Sequence, residues 1–552
     1  MQAKFKDKRQ NKSKGNLKRH RAAWIVLLLL AALLRLPAPD WDAGIAAHPD
    51  ERFLLDVAHR APLGGDPCAA VPDFPYGHLP VYAARLLILA APDADPLYAA
   101  RLLSGVIGVT LVALGGAWGR ALAGERGGLL TGALLAGAPL LVQHARFYTV
   151  DPLGAAFVSG AILAAARRRW RMAGALAGLA VACKASLGWG IIVLLVGIVL
   201  TRREASLKIA GRVLLFAALA FALTSPWAVL RPVACWRGPL IQAGMVAGRY
   251  EVPYTQQYAG ALPFFYPLWQ MALWGLGPTA TMVGAAGVVG GLARWRKMTS
   301  ARRWAARYWA AIWAGGYFLA TAGLYVKFPR YLLPIYPVWA ALAALTAVKA
   351  GRHISKRWGR RLVWGALLAP TALLGVAQAS LYGQTHPWMT ASRWLYASSD
   401  AIETIAVERW DHPLPVPAPE GDPGQFEQMI LPVFAASSPE KTAQLAEASA
   451  RADVIILASR RGYGALTKQP AHYDFNTLAW YRAQMRAREV IAFGRCPRLG
   501  PLALSDDPLA DSGLPVTISL AERCGTPYAL RFPALDESFR VYDAPTTLLL
   551  LD

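Results

Sequence analysis

Acidic residues are scarce in this sequence. Only 34 Asp and Glu stand against 58 Lys and Arg, which leaves a formal charge of +24, and just 17% of the 552 residues are charged at all. With 55% hydrophobic residues and a mean hydropathy of +0.31, the chain is too apolar for an ordinary soluble protein of this size. Cysteine is scarce too: five residues and no CxxC spacing exclude a disulfide scaffold and a structural zinc site. Cys183 lies in an apolar stretch, whereas Cys68, Cys235, Cys496 and Cys524 fall where an oxidising compartment would allow one or two disulfides, or free thiols. No GxxxxGK[ST] loop occurs, and no GxGxxG follows a strand, so a cytoplasmic nucleotide is not expected as donor or energy source. Ser/His/Asp nucleophile motifs are missing as well.

Such a basic chain invites a nucleic-acid reading, but the distribution of its charge argues against one. The bases sit in short runs between apolar stretches: "KFKDKRQNKSKGNLKRHR" at the start, then "RRRWR" (167–171), "TRREASLK" (201–208), "RWRKMTSARR" (294–303) and "KAGRHISKRWGRR" (349–361). That is the pattern of cytoplasmic loops under the positive-inside rule. Spans of sufficient apolarity fall at 22–38, 100–122, 127–143, 150–166, 171–186, 187–200, 209–229, 266–293, 304–325, 331–348 and 362–381, about eleven in all. With this count every basic run lies inside. Reading 171–200 as one helix rather than two, despite Lys184, Ser186 and Gly188, would place "RWRK" outside.

The expectation is a polytopic α-helical membrane protein with a C-terminal extracytoplasmic α/β domain. Residues 1–21 form a basic cytoplasmic tail, 22–381 the transmembrane domain with an extracytoplasmic loop at 38–99, and 382–552 the α/β domain. In the last, strands are predicted over 404–408, 453–459, 489–493 and 546–552, and a helix over 438–452 opened by Ser438 and Pro439.

Four segments at outer helix ends carry the chemistry. In "AAHPDERFLLDVAHR" (46–60), Asp50 and Glu51 suit the first turn of an amphipathic helix lying on the membrane surface, with Phe53, Leu54, Val57 and Ala58 on one face; equally, a carboxylate held there can take a proton from an attacking hydroxyl. "QHARFYTVDPL" (143–153) packs His144, Arg146, Tyr148 and Asp151 into one turn, either solvated or facing Asp50. "YVKFPRYLLPIYP" (325–337) breaks the positive-inside pattern with Lys327 and Arg330, which suit a phosphate at headgroup depth or snorkel to ordinary headgroups. The loop at 249–269, with Tyr254, Gln256 and Gln257, either lines a sugar site or belongs to an interfacial aromatic belt. Lys184 within an apolar stretch is a cavity-facing cation or a snorkelling one, and "SRRGYG" (459–464) is a basic loop on lipid headgroups or a ligand loop.

Taken in order, "HPDE", "FPYGHLPVY" (74–82), "AARLLSGVIG" (99–108), "HARFYTVDPL", "GLAVACKAS" (178–186) and "KFPRYLLPIYP" make the chain resemble the GT-C glycosyltransferases, in particular bacterial members of family 39, which includes protein O-mannosyltransferases and lipid A aminoarabinose transferases. The resemblance covers about residues 20–350. It implies a sugar donor linked to polyprenyl phosphate, an inverting transfer to a lipid, protein or glycan hydroxyl, and reaction at the outer face of a prokaryotic plasma membrane. By the same resemblance Asp50 is the base, Glu51 its partner, Asp151 a second carboxylate, and Lys327, Arg330 and Arg146 the holders of the donor phosphate. His48, His144, Tyr148, Tyr254, Gln256 and Gln257 are expected to line the substrate. Some members hold a divalent metal near the site; the ligands do not map cleanly onto this sequence, which leaves a divalent metal open. A lipid or glycan transporter that binds the same ligand without chemistry is the rival, disfavoured because the ionisable groups gather at helix ends rather than mid-span.

Overall fold

The computed structural model describes residues 2–201, 206–250, 252–293, 302–408, 412–466, 468, 475–507, 509, 512, 514–515, 517–533 and 535–552. Much of the basic run 294–303 and half of 201–208 lie outside the described residues. All the apolar stretches fold as helix over most of their length. Among the described residues four helical segments are long and apolar enough to cross a membrane, Pro96–Gly137, Ser206–Thr224, Pro329–Arg352 and Arg357–Ala397. Five more apolar helices are shorter, so the count of about eleven crossings is not established by length and composition. Lipid-type surface is nonetheless plain: Leu207, Leu223 and Val233 are each more than 80% exposed among the described residues.

Local sequence explains why expected spans come out short or joined. Stretches 100–122 and 127–143 form one run of helix that turns back at Gly124, whose φ of 75° is open to glycine and strained for other residues. Gly119 and Gly127 let the two arms touch; a Cβ on Gly119 would meet the Gly127 carbonyl oxygen at 2.4 Å. The 171–200 stretch is two helices, Trp170–Cys183 and Trp189–Thr201, separated by extended Lys184 and a 3-10 turn over Ala185–Gly188. The 266–293 stretch is broken by a π turn at Met271–Gly275. Trp118, Trp274 and Trp313 fill the centre of the helical core.

One expectation is corrected here. The helix Pro49–Arg60 does not lay its apolar face on the bilayer. Leu54, Leu55, Val57 and Ala58 are buried against Phe74, Val81, Ala84, Leu97 and Tyr148, because the helix His78–Ala90 folds back over them. Cys68 and Cys235 form a disulfide that ties this loop to the helix Pro232–Val246; Cys496 and Cys524 form a second, and Cys183 is a buried thiol.

The C-terminal α/β region is built on a five-stranded sheet in the order β2-β1-β3-β8-β4, comprising β1 Thr404–Glu408, β2 Glu427–Leu431, β3 Val454–Leu457, β4 Glu489–Phe493 and β8 Thr547–Leu551. β1 pairs in parallel with β2 and β3, while β8 runs antiparallel between β3 and β4. The strands of its centre are apolar along most of their length, as burial on both faces requires. Ser438 caps the helix Pro439–Arg451 by accepting from the Lys441 N–H. β2 gave no sequence signal, nor did a small second sheet of β5 Arg498–Leu499, β6 Leu502–Ser505 and β7 Ala529–Arg531.

Candidate active site

The opening of the helix Pro49–Arg60 separates two neighbouring carboxylates. His48 is the N-cap, with Nδ1 accepting from the Asp50 N–H, and Pro49 takes the first helical position. Consecutive helical residues point about 100° apart, so Asp50 and Glu51 face different surroundings. Glu51 turns into the protein and is fully buried. Arg101 binds it at 2.7 Å and Asp42 at 2.7 Å, and the Tyr148 N–H donates to it at 2.9 Å. Burial pushes the Glu51 carboxyl up against the pull of Arg101, while Asp42 is held below its usual range, the upward push of burial being outweighed by bonds from Arg101 and the Ala47 N–H.

This buried triad fixes where Asp50 sits, and its removal should unfold the loop. Arg101→Met leaves two buried carboxylates without their cation, a loss of about 3–5 kcal/mol. Arg60→Ala, which breaks an exposed pair with Asp56, should cost under about 1 kcal/mol. Melting curves of the two variants in lipid nanodiscs would check this; equal midpoints would overturn it.

Asp50 turns the other way, into a cluster of four charges. Its carboxylate is 3.5 Å from an Arg330 nitrogen, and the Tyr76 hydroxyl lies close enough to feel its charge. Burial, then the Asp50 charge, pushes the Tyr76 phenol well above its ordinary range, so it stays a donor. Arg330 Nε lies 3.9 Å from Asp151, too far for a hydrogen bond, and has no other partner. Asp151 is bound at 2.7 Å by Lys184. Helix ends explain this pair: Asp151 is in the first turn of Val150–Ala166, and Lys184 closes Trp170–Cys183, so each charge meets a favourable dipole end. Gly77 makes the approach feasible, because its N–H binds the Cys183 carbonyl and a Cβ there would lie 2.0 Å from the Ala182 oxygen.

Other expected residues are not brought to this cluster. Arg146, expected to hold the donor phosphate, is turned elsewhere: its guanidinium donates to the carbonyls of Leu34 and Pro37 and lies 4.5 Å over the Tyr382 ring. Lys327 donates to the Tyr325 carbonyl at 2.9 Å rather than facing Asp50 with Arg330. Tyr148 donates to the Pro80 carbonyl, Gln256 accepts from the Tyr325 hydroxyl, and Gln257 spans the Tyr254 carbonyl and the Glu537 N–H. His48, His144 and Tyr254 do lie beside the cluster. His144 is buried edge-on to Phe147, with Nδ1 unpartnered, and Tyr254 is stacked on Phe328.

The C-terminal region supplies what the sequence did not flag. Tyr542 lies 4.2 Å from the His48 ring, which Phe147 backs at 4.8 Å. Burial first, then the nearby Arg330 charge, holds the His48 imidazole well below its usual range, so it is neutral. Arg461 of "SRRGYG" is buried, not on headgroups: it binds Glu537 at 3.0 Å and the Tyr542 hydroxyl at 2.7 Å and lies over the Tyr254 ring. Gln378 and Tyr382 of the helical part bind Asp543, which locks this cover in place.

A divalent metal finds no fit in either cluster. Asp50 and Asp151 are already matched by Arg330 and Lys184, leaving no net negative charge. Among the described residues one group has ligand atoms close enough to share an ion, Cys68, His78 and Cys235, and its two sulfurs are joined to each other.

No protein-family model matches the chain, and comparison with curated proteins finds no match. Solved structures do resemble it. The archaeal oligosaccharyltransferase AglB from Archaeoglobus fulgidus, in complex with an inhibitory peptide and a dolichol-phosphate, aligns with TM-score 0.54 and 14% identity over 86% of this chain and 73% of that one. The same enzyme tethered to an acceptor peptide containing the NVT sequon gives TM-score 0.52 and 15% identity over 87% and 73%. ArnT from Cupriavidus metallidurans bound to undecaprenyl phosphate gives TM-score 0.46 and 18% identity over 80% and 94%. The two oligosaccharyltransferase alignments show a shared architecture: this membrane chain has a GT-C fold.

Proposed function

We propose that the chain is a membrane glycosyltransferase that moves a sugar from a polyprenyl-phosphate donor to an acceptor hydroxyl, with inversion at the anomeric carbon. The observation that carries this reading is the convergence of Asp50 and Asp151 on one guanidinium, Arg330, whose Nε lacks a hydrogen-bond partner. A donor phosphate is the acceptor such a group calls for. The dolichol-phosphate bound by a protein of the same fold supports that assignment.

In the reaction the acceptor oxygen bonds to the sugar C1 while the bond from C1 to the phosphate oxygen breaks and its electron pair leaves with the phosphate. Asp50 takes the hydroxyl proton; it needs only to act as that bond forms. Arg330 answers the charge gathering on the phosphate, which is greater in the transition state than before it. Lys184 and Asp151 hold Arg330 in place. Glu51 is a positioning residue through Arg101, and the metal left open by the sequence takes no part in this scheme. The site and the C-terminal region face the extracytoplasmic side of a prokaryotic plasma membrane, with the N-terminus in the cytoplasm, which keeps the basic runs inside.

The test is to offer the purified protein in lipid a panel of polyprenyl-phosphate sugars and follow free polyprenyl phosphate. Release that depends on an added hydroxyl acceptor is expected. Tight binding of the lipid with no release from any donor would sink the transferase and leave a binding or transport protein.

A further inference from the structure

Between the helical part and the C-terminal region lies a cavity of about 280 Å³ that the chemistry above does not use. Tyr266, Trp269, Arg460, Lys468, Leu535 and Glu537 are among its walls. That volume is near the lower end for ligand pockets, about 300 Å³, and suits one sugar-sized group.

Its charge is unbalanced. Glu537 is already answered by Arg461. Behind the wall, the buried Asp506 faces three guanidiniums, Arg523 at 3.0 Å, Arg540 at 3.4 Å and Arg460 at 4.0 Å. One carboxylate cannot satisfy three forks, and Arg460 Nη1 and Arg540 Nη2 are buried without hydrogen-bond partners. The gap beside Asp506 measures about 10 Å³, room for no more than a water. Arg460 lines both spaces, so of the three guanidiniums around Asp506 it is the one that also borders the larger cavity. There Trp269, 42% exposed and stacked on Phe265, offers a flat apolar wall of the kind that covers the face of a sugar ring. On its other side Arg461, which holds the cavity's Glu537, lies over Tyr254 and touches Tyr542 beside His48, so the cavity adjoins the reaction site.

We infer that this cavity seats a negatively charged group, phosphate or carboxylate, on a sugar of the acceptor, an assignment that rests on the glycosyltransferase reading. The charged sugar is either free or the head of a lipid; the chemistry recognised is the same.

The experiment uses the full chain in phosphatidylcholine nanodiscs, with glucose 6-phosphate, glucose and a short acidic peptide as probes read by saturation-transfer NMR. Glucose 6-phosphate is expected to bind at least about tenfold tighter than glucose, and Arg460→Gln to weaken it about tenfold. Lys468→Gln gives a second variant should Arg460→Gln fold poorly. Displacement by nanodiscs containing phosphatidylglycerol would mark a lipid-borne anion, and no displacement a free one; either fits the inference. Equal binding of glucose and its phosphate, indifference to both substitutions, or preference for the peptide would overturn it. Donor turnover alongside such a failure leaves the transferase reading standing, whereas sugar-phosphate binding without turnover overturns that reading alone.

Discussion

Asp50→Asn is expected to slow sugar transfer by about 10²- to 10⁴-fold, the worth of a positioned base. The substitution keeps the shape, but the amide cannot take up a proton. The Lys184–Asp151 and Arg330–Asp151 contacts are untouched, and Arg330 loses only the counter-charge of Asp50, so labelled polyprenyl phosphate should still bind. Single-turnover release of polyprenyl phosphate, paired with that binding measurement, separates the two effects. A rate within tenfold of wild type would remove Asp50 from the role of base. Glu51→Gln is the neighbouring control: its effect should fall on the melting midpoint, since Glu51 is bound to Arg101 and the Tyr148 N–H away from the cluster.

Arg330→Gln should cost about 10²- to 10³-fold in turnover, as the loss of a preorganised donor to a developing oxyanion does elsewhere, and should weaken donor binding as well. Without Arg330, Asp50 and Asp151 retain Lys184 as the cation of the cluster, and an incoming phosphate meets net negative charge. Arg330→Lys keeps the charge and loses the planar fork, so it should recover binding more than rate. If both variants bind polyprenyl phosphate as wild type does, the phosphate lies elsewhere. Lys327→Gln sharpens the contrast, because a lysine engaged with the Tyr325 carbonyl predicts a small effect.

How much of this was readable beforehand differs by residue, for physical reasons. Helix starts are written locally, which is why Asp50 in "HPDE" and Asp151 in "TVDPL" stood out. Hydropathy and charge bias place a residue at one end of a helix but do not say which way its side chain turns. Asp50 and Glu51 have the same address and opposite surroundings, and so do Lys327 and Arg330. Arg146 shows the same limit: the open carbonyls of Leu34 and Pro37 after the first helix take its guanidinium, which no local pattern indicates. Lys184 left two readings open in the sequence and was settled by an ion pair with a residue 33 positions away. Tyr76 sat within the resembling motif "FPYGHLPVY" without being singled out. For Arg461 and Tyr542, contacts across hundreds of residues carry the role, and no local pattern announces them. Of the fold, the central strands β1, β3 and β8 were legible because doubly buried strands are largely apolar runs, and the edge strand β4 because "EVIAF" keeps an apolar run, whereas β2, the other edge strand and mostly exposed or half-buried, was not.

The cover over the site also sets an order of events in the life of the chain. His48, Asp50 and Asp151 leave the ribosome before Arg330, and Tyr542 and Asp543 about two hundred residues after it. Domains fold largely as they are made, N-terminal first, so a growing chain holds Asp50, Lys184 and Arg330 well before Tyr542 closes on His48 and Asp543 is gripped by Gln378 and Tyr382. A chain cut short by a nonsense codon or a protease anywhere before that grip would keep the helices and lose the lid, leaving Asp50 and Arg330 under open water.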